Sequence, residues 1–125
     1  MKPMKKASPQ PLFLKQVVDT LREFGPVQTK AMFGCWGLYH QGLFFALVAG
    51  DALYLKTDAE NLAQFQARGL EAFVYRMKDG DRIVMSYYEA PEEAFEDPAV
   101  MAEWARSAFG AALRKATNTK RQQKV

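Results

Sequence analysis

Met32-Phe33-Gly34-Cys35-Trp36-Gly37-Leu38-Tyr39-His40-Gln41-Gly42-Leu43-Phe44-Phe45-Ala46-Leu47 is the most hydrophobic part of the chain, and three glycines punctuate it. Two apolar, aromatic-rich runs flank Gln41-Gly42. Glycine tolerates positive φ, so a two-residue loop there closes a β-hairpin with strands over 35–40 and 43–49. The stretch holds no reaction centre. Gly34-x-x-Gly37 lacks the P-loop lysine and the dinucleotide fingerprint spacing, and its glycines are explained by turns and close backbone approach.

The segments on either side extend the sheet. Val27 to Met32 reads as a strand, with Phe33-Gly34 as a turn or bulge. Gly50-Asp51 is a second two-residue turn, followed by a strand over 52–56 in which Leu53 and Leu55 alternate with Tyr54 and Lys56. Glu71 to Arg76 and Arg82 to Tyr87 form a second hairpin around Lys78-Asp79-Gly80-Asp81.

Helices punctuate the strands. Ser8-Pro9 has the form of a helix start, and Leu14, Val17, Val18, Leu21 and Phe24 make the apolar stripe that Gly25-Pro26 ends. Thr57 and Glu60 fit a capping box opening a helix that buries Leu62 and Phe65 and stops at Gly69. Pro91 to Phe95 reads as a short helical turn. Asp97-Pro98 caps a last helix with Val100, Met101, Trp104, Ala105, Ala108, Phe109, Ala112 and Leu113 on its buried face. The order is helix, four strands, helix, two strands, helix. Tight turns between strands make the sheet largely antiparallel, with the helices on one face of a two-layer α+β domain.

The chain of 125 residues is 49% hydrophobic and 25% charged, the composition of one globular domain. The folded part is expected over about 9–116, with flexible basic tails at 1–7 and 117–125. The net charge of +3 divides unevenly. Residues 1–10 and 114–125 hold eight Lys/Arg and no acid, whereas residues 11–113 hold nine against 14 Asp/Glu. Nucleic-acid-binding folds carry basic patches on the folded surface, so the basicity here is weak evidence for one. One cysteine excludes an intramolecular disulfide and fits a reducing compartment. The run Leu43 to Ala49 is too short to span a bilayer, and Lys15 interrupts the apolar Leu12-Phe13-Leu14. A cytoplasmic protein with no membrane association is expected.

Candidate chemistry is sparse. Cys35 and His40 sit five residues apart on one strand, so their side chains point to opposite faces and make no nucleophile–base pair. The acidic cluster Glu92, Glu93, Glu96 and Asp97 reads as favourable charge at a helix start. Asp79-Gly80-Asp81 lacks the further ligands of a calcium loop. No catalytic residue, metal site or cofactor is expected. Tyr87-Tyr88 and Phe44-Phe45 invite a base-stacking reading, but few cations lie near them in sequence, and core or interface packing suits them better.

The series Met32-Phe33-Gly34-Cys35-Trp36-Gly37-Leu38-Tyr39, Gly42 with Phe45-Ala46-Leu47, Leu53-Tyr54-Leu55-Lys56 with Asp58, Met85-Ser86-Tyr87-Tyr88, Pro91-Glu92 and Trp104-Ala105-Arg106 resembles the TfoX N-terminal domain family. That family is the amino-terminal half of bacterial competence regulators of the TfoX/Sxy type. The resemblance covers about residues 11–115. It implies a bacterial protein with an α+β fold similar to type III secretion chaperones, and no established catalytic set. The longer relatives promote expression of DNA-uptake genes alongside a cyclic-AMP receptor protein. They carry a second, helical domain, and this chain is expected to lack it. Cys35 stands where the family often has glycine, and Ala31 where it has a basic residue, a place Lys30 can take.

The expected function is a non-enzymatic regulatory or adaptor module acting by protein–protein contact, in competence or transcription. The alternatives are nucleic-acid binding through the basic tails and, third, an enzyme of unknown type. With two-residue loops at both turns, Tyr39 opposes Phe44, Gly37 opposes Ala46 and Cys35 opposes Val48, and Leu53 and Leu55 join that face. Its small residues suit it to close helix packing. The opposite face then gathers Trp36, Leu38, His40, Leu43, Phe45, Leu47, Tyr54 and Lys56. Its centre, Trp36, Leu38, Phe45, Leu47 and Tyr54, is the expected protein-binding surface, covered by a second copy or a regulatory partner.

Overall fold

The computed structural model describes residues 11–32 and 34–124, without the side chains of Met85 and 119–124. The expected helix start at Ser8-Pro9 and the 1–7 tail lie outside the described residues. The elements run α1 (Leu12–Thr20), β1 (Gln28–Met32), β2 (Cys35–His40), β3 (Leu43–Ala49), β4 (Ala52–Lys56), α2 (Leu62–Ala67), β5 (Ala72–Met77), β6 (Gly80–Glu89), a 3-10 helix (Glu92–Phe95) and α3 (Pro98–Lys124). The α+β order is the one read from the sequence. Asp97 caps α3 through its Oδ1, which accepts from Ala99 N at 2.9 Å. The helix continues past Ala116 to Lys124.

The strands form one antiparallel sheet in the order β1-β2-β3-β4-β6-β5. The Gln41-Gly42 loop has φ of 51° and 80°, the positive pair that a type I′ hairpin turn requires. It sets His40 opposite Leu43 and Tyr39 opposite Phe44. The register then slips by one: Leu38 opposes Ala46, and Gly37 opposes Leu47. Phe45 is the extra residue, and the strand bulges there.

That bulge overturns the expected faces of the hairpin, because a one-residue slip sends side chains to the other side of a sheet. Trp36, Leu38, His40, Leu43 and Phe45 lie with the helices. Leu38 and Phe45 are wholly buried in the main core with Val48, Leu53, Leu55, Phe65, Tyr88, Met101 and Ala105. Cys35 and Phe44, expected under the helices, belong instead to the outer cluster around Leu47, Phe73 and Tyr87. Beyond the bulge the expected placement holds, with Ala46, Val48, Leu53 and Leu55 inward and Leu47 and Tyr54 outward. The bulge lets Phe45, Ala46 and Val48 all join one core. Full burial of a ring such as Phe45 contributes roughly 1.5–3 kcal/mol.

Helix α3 packs across β3 and β4, presenting Met101, Ala105, Ala108 and Ala112. Alanine on this face lets the helix lie close to the strands. Its Trp104 meets the Phe65 ring edge-on at 5.0 Å, which seats α2 against the same layer. Helix α1 adds Leu14 and Val17, and Leu21 follows at its C-cap, all three fully buried. Phe24, just beyond α1, touches Phe45 at 5.1 Å and Phe109 at 6.0 Å between ring centroids.

The turn before α2 is closed differently from expectation. Asp58 Oδ1 accepts from Glu60 N at 3.0 Å and Asn61 N at 3.3 Å, and Asn61 Oδ1 accepts from Asp58 N at 2.8 Å. This reciprocal pair sits one position along from Thr57 and Glu60. Glu60 instead approaches Arg114 at 3.5 Å.

Candidate functional surface

Two apolar clusters occupy the two faces of the sheet. The larger joins all the helices to the inner face. The smaller, Leu47, Phe73 and Tyr87 with Cys35, Phe44, Ala49, Tyr54 and Val84 against them, draws only on strands. Of the five residues expected to form a binding surface, Leu47 and Tyr54 lie together on this outer face, whereas Trp36, Leu38 and Phe45 face the helices. Phe44, Phe73, Tyr75 and Tyr87 take part in the outer face without having been assigned to it from sequence. For Phe44 the face is fixed only once the bulge is known, and for Phe73, Tyr75 and Tyr87 only once the pairings of β5 and β6 are known.

The outer face carries a row of stacked groups running across the strands. Lys30 Nζ lies 5.0 Å from the Tyr39 ring centroid. Tyr39 stacks on Phe44 at 5.2 Å, and Phe44 meets Tyr87 at 5.5 Å. Lys56 Nζ closes the row 4.8 Å from the Tyr87 ring centroid. Cations over ring faces and offset ring pairs are favourable, so the row covers itself. Gly37 makes room for it: a Cβ there would fall 2.9 Å from Met32 Cε, 3.1 Å from Tyr39 Cε1 and 3.2 Å from Phe44 Cε1. Burial pushes the Tyr87 phenol up to about 12, so it stays protonated at neutral pH.

Beyond this row the face becomes more open. Tyr54 meets Phe73 at 4.9 Å, and Phe73 meets Tyr75 at 6.5 Å. Along β5 exposure rises from 8% at Phe73 to 37% at Tyr75 and 43% at Met77. Strand β5 is also one of the two edge strands, with β6 as its neighbour.

The reactive side chains are placed apart. Cys35 is on the outer face, where burial raises the thiol above its usual value and leaves less thiolate. His40 is on the inner face, 4.5 Å from the Phe24 ring and 4.9 Å from the Phe109 ring. Its Nδ1 donates to the Pro26 carbonyl at 2.6 Å, since a carbonyl can only accept. Gly25 allows that contact: its φ is 143°, and a Cβ there would meet His40 Cε1 at 2.9 Å. His40 thus ties β2 to the segment after α1. Among the described residues no group of three His, Cys, Asp or Glu could hold a metal ion, and no helix is long and apolar enough to cross a membrane.

Helices on one side and an aromatic, strand-built face on the other define a two-layer α+β sheet domain. The TfoX N-terminal domain family matches residues 19–112 of the 125, and the chain belongs to that family. No curated protein matches the sequence.

Proposed function

We propose that this protein is a bacterial regulatory or adaptor module that works by protein–protein contact rather than by catalysis, in the control of competence or transcription. Family membership supports the regulatory class. The observation that carries the contact reading is the strand-only outer cluster, which opens through Tyr54 and Phe73 to the exposed Tyr75 and Met77 on an edge strand. Aromatic residues and Met are enriched where proteins meet, and a sheet edge can accept a partner's strand. The occupant is a regulatory protein or a second copy, in a contact of roughly 800 Å² per side. Tyr75→Glu and Tyr54→Glu should each abolish capture of the partner, or of the second copy, while circular dichroism stays unchanged. A monomer whose variants stay folded and capture the same proteins from lysate contradicts this reading.

The uneven charge favours a second reading, nucleic-acid binding through the basic ends. Such binding falls steeply with salt because neutralised phosphates release counterions. Deleting 1–7 and 117–125 should then abolish a gel shift seen at low salt, and a shift that survives the deletion rules the tails out.

A further inference from the structure

Lys56 ends β4 and is only 8% exposed. Burying an ammonium is costly unless it is paired. Its Nζ donates to Tyr87 Oη at 3.3 Å and lies over the Tyr87 ring. Among the described residues it makes no ion pair, and its other donors have no protein acceptor. The nearest carboxylate in the sequence, Asp58, is committed elsewhere: its two oxygens accept from Arg114 Nε at 2.6 Å and Nη2 at 2.9 Å.

Beside Lys56 lies a cleft of about 580 Å³, between the end of the sheet and the C-terminal half of α3. Lys115, Ser86 and Asn118 line it with Lys56 and Tyr87, and the Asp58–Arg114 pair forms one wall. Three cations thus face it with a single carboxylate. Burial lowers the Lys56 pKa first, and the Lys115 charge lowers it further, so an anion placed between the two would relieve both penalties. Hydroxyl and amide groups at the rim supply further donors. The volume is that of a small-molecule site rather than of a lone ion.

We propose that this cleft binds a small molecule bearing a multivalent oxyanion, held between Lys56 and Lys115. The chemistry is shared by phosphate groups and by clustered carboxylates. The site goes beyond the adaptor reading and does not depend on it, since it needs no protein partner.

The test is an amide NMR titration of the full chain with pyrophosphate and, separately, with citrate, at constant ionic strength. Saturable shifts at Thr57, Ser86, Tyr87 and Lys115 are expected. Saturation by pyrophosphate alone assigns phosphate, by citrate alone carboxylates, and by both a general oxyanion site. Losing one charge-assisted contact should weaken binding about tenfold or more in Lys56→Gln and in Lys115→Gln. Lys115 is exposed, so its variant keeps the fold, and Lys15→Gln on α1 should change nothing. Silence with both anions, shifts confined to the basic ends, or undiminished affinity in Lys115→Gln would overturn the proposal.

Discussion

At the scale of single residues, Gln41 is the one described non-glycine residue with positive φ, at 51°. The left-handed region costs a side chain such as glutamine about 1–2 kcal/mol, and asparagine tolerates it better. Gln41→Asn should therefore raise stability by roughly 0.5–1 kcal/mol, read from denaturant midpoints. Gly37→Val should act the other way. Its branched side chain would part the Tyr39–Phe44 stack, at a cost of about 1–3 kcal/mol. An unchanged melting temperature would mean that Gly37 does not face that stack. Phe45→Ala empties a site with no solvent exposure and should cost about 3–5 kcal/mol.

At the scale of elements, α3 is tied to the turn before α2 by polar groups. Asn61 Nδ2 donates to Lys56 O at 3.2 Å, Ser107 O at 3.2 Å and Ser107 Oγ at 3.1 Å. Removing this side chain in Asn61→Ala takes the side-chain donor from the buried Lys56 carbonyl and should cost about 1–3 kcal/mol. The Asp58–Arg114 bond holds the Asp58 carboxyl below its usual value of 3.8, the hydrogen bond from Arg114 being the largest cause. A depressed carboxyl contributes stability that is full above the unfolded value and is lost as pH falls through the folded one. Acid unfolding should therefore steepen below pH 3.8, and Asp58→Asn should flatten that part of the curve. Equal acid sensitivity in variant and wild type would mean the pair is not formed in solution.

The same element shows what a sequence can and cannot disclose. Thr57-x-x-Glu60 and Asp58-x-x-Asn61 are overlapping capping patterns, and only the path of the chain out of β4 selects the second. Strands β2 and β3 announce themselves by their apolar content and by the Gln41-Gly42 turn. Leu43-Phe44-Phe45-Ala46-Leu47-Val48 is apolar throughout, so it has no alternation to reveal that Phe45 is a bulge. One hidden bulge therefore turns Trp36, Leu38 and Phe45 toward the helices, while Leu47 and Tyr54, beyond the slip, face outward as simple alternation implies.

At the scale of the whole molecule, the helices share one core and leave the other face to the strands. The row from Lys30 to Lys56 resolves how such an aromatic face meets water: its ring faces are taken up by one another and by the two lysines. That also leaves Tyr39, Phe44 and Tyr87 poor platforms for base stacking, which needs free ring faces. The open part of the surface lies instead toward β5. Its importance could not be read from the sequence, because the stripe Phe73, Tyr75 and Met77 gains meaning only when β5 is known to be an edge strand. The arrangement of the two sheet faces turns on which one Phe45 occupies. A NOESY spectrum of the full chain measures this directly. Cross-peaks from the Phe45 ring to Phe24 and Phe109, and from Phe44 to Tyr87, are expected from centroid separations of 5.1, 6.3 and 5.5 Å. Cross-peaks from Phe44 to Phe109, with Phe45 contacting Tyr87, would contradict the bulge and return Trp36, Leu38 and Phe45 to the open face.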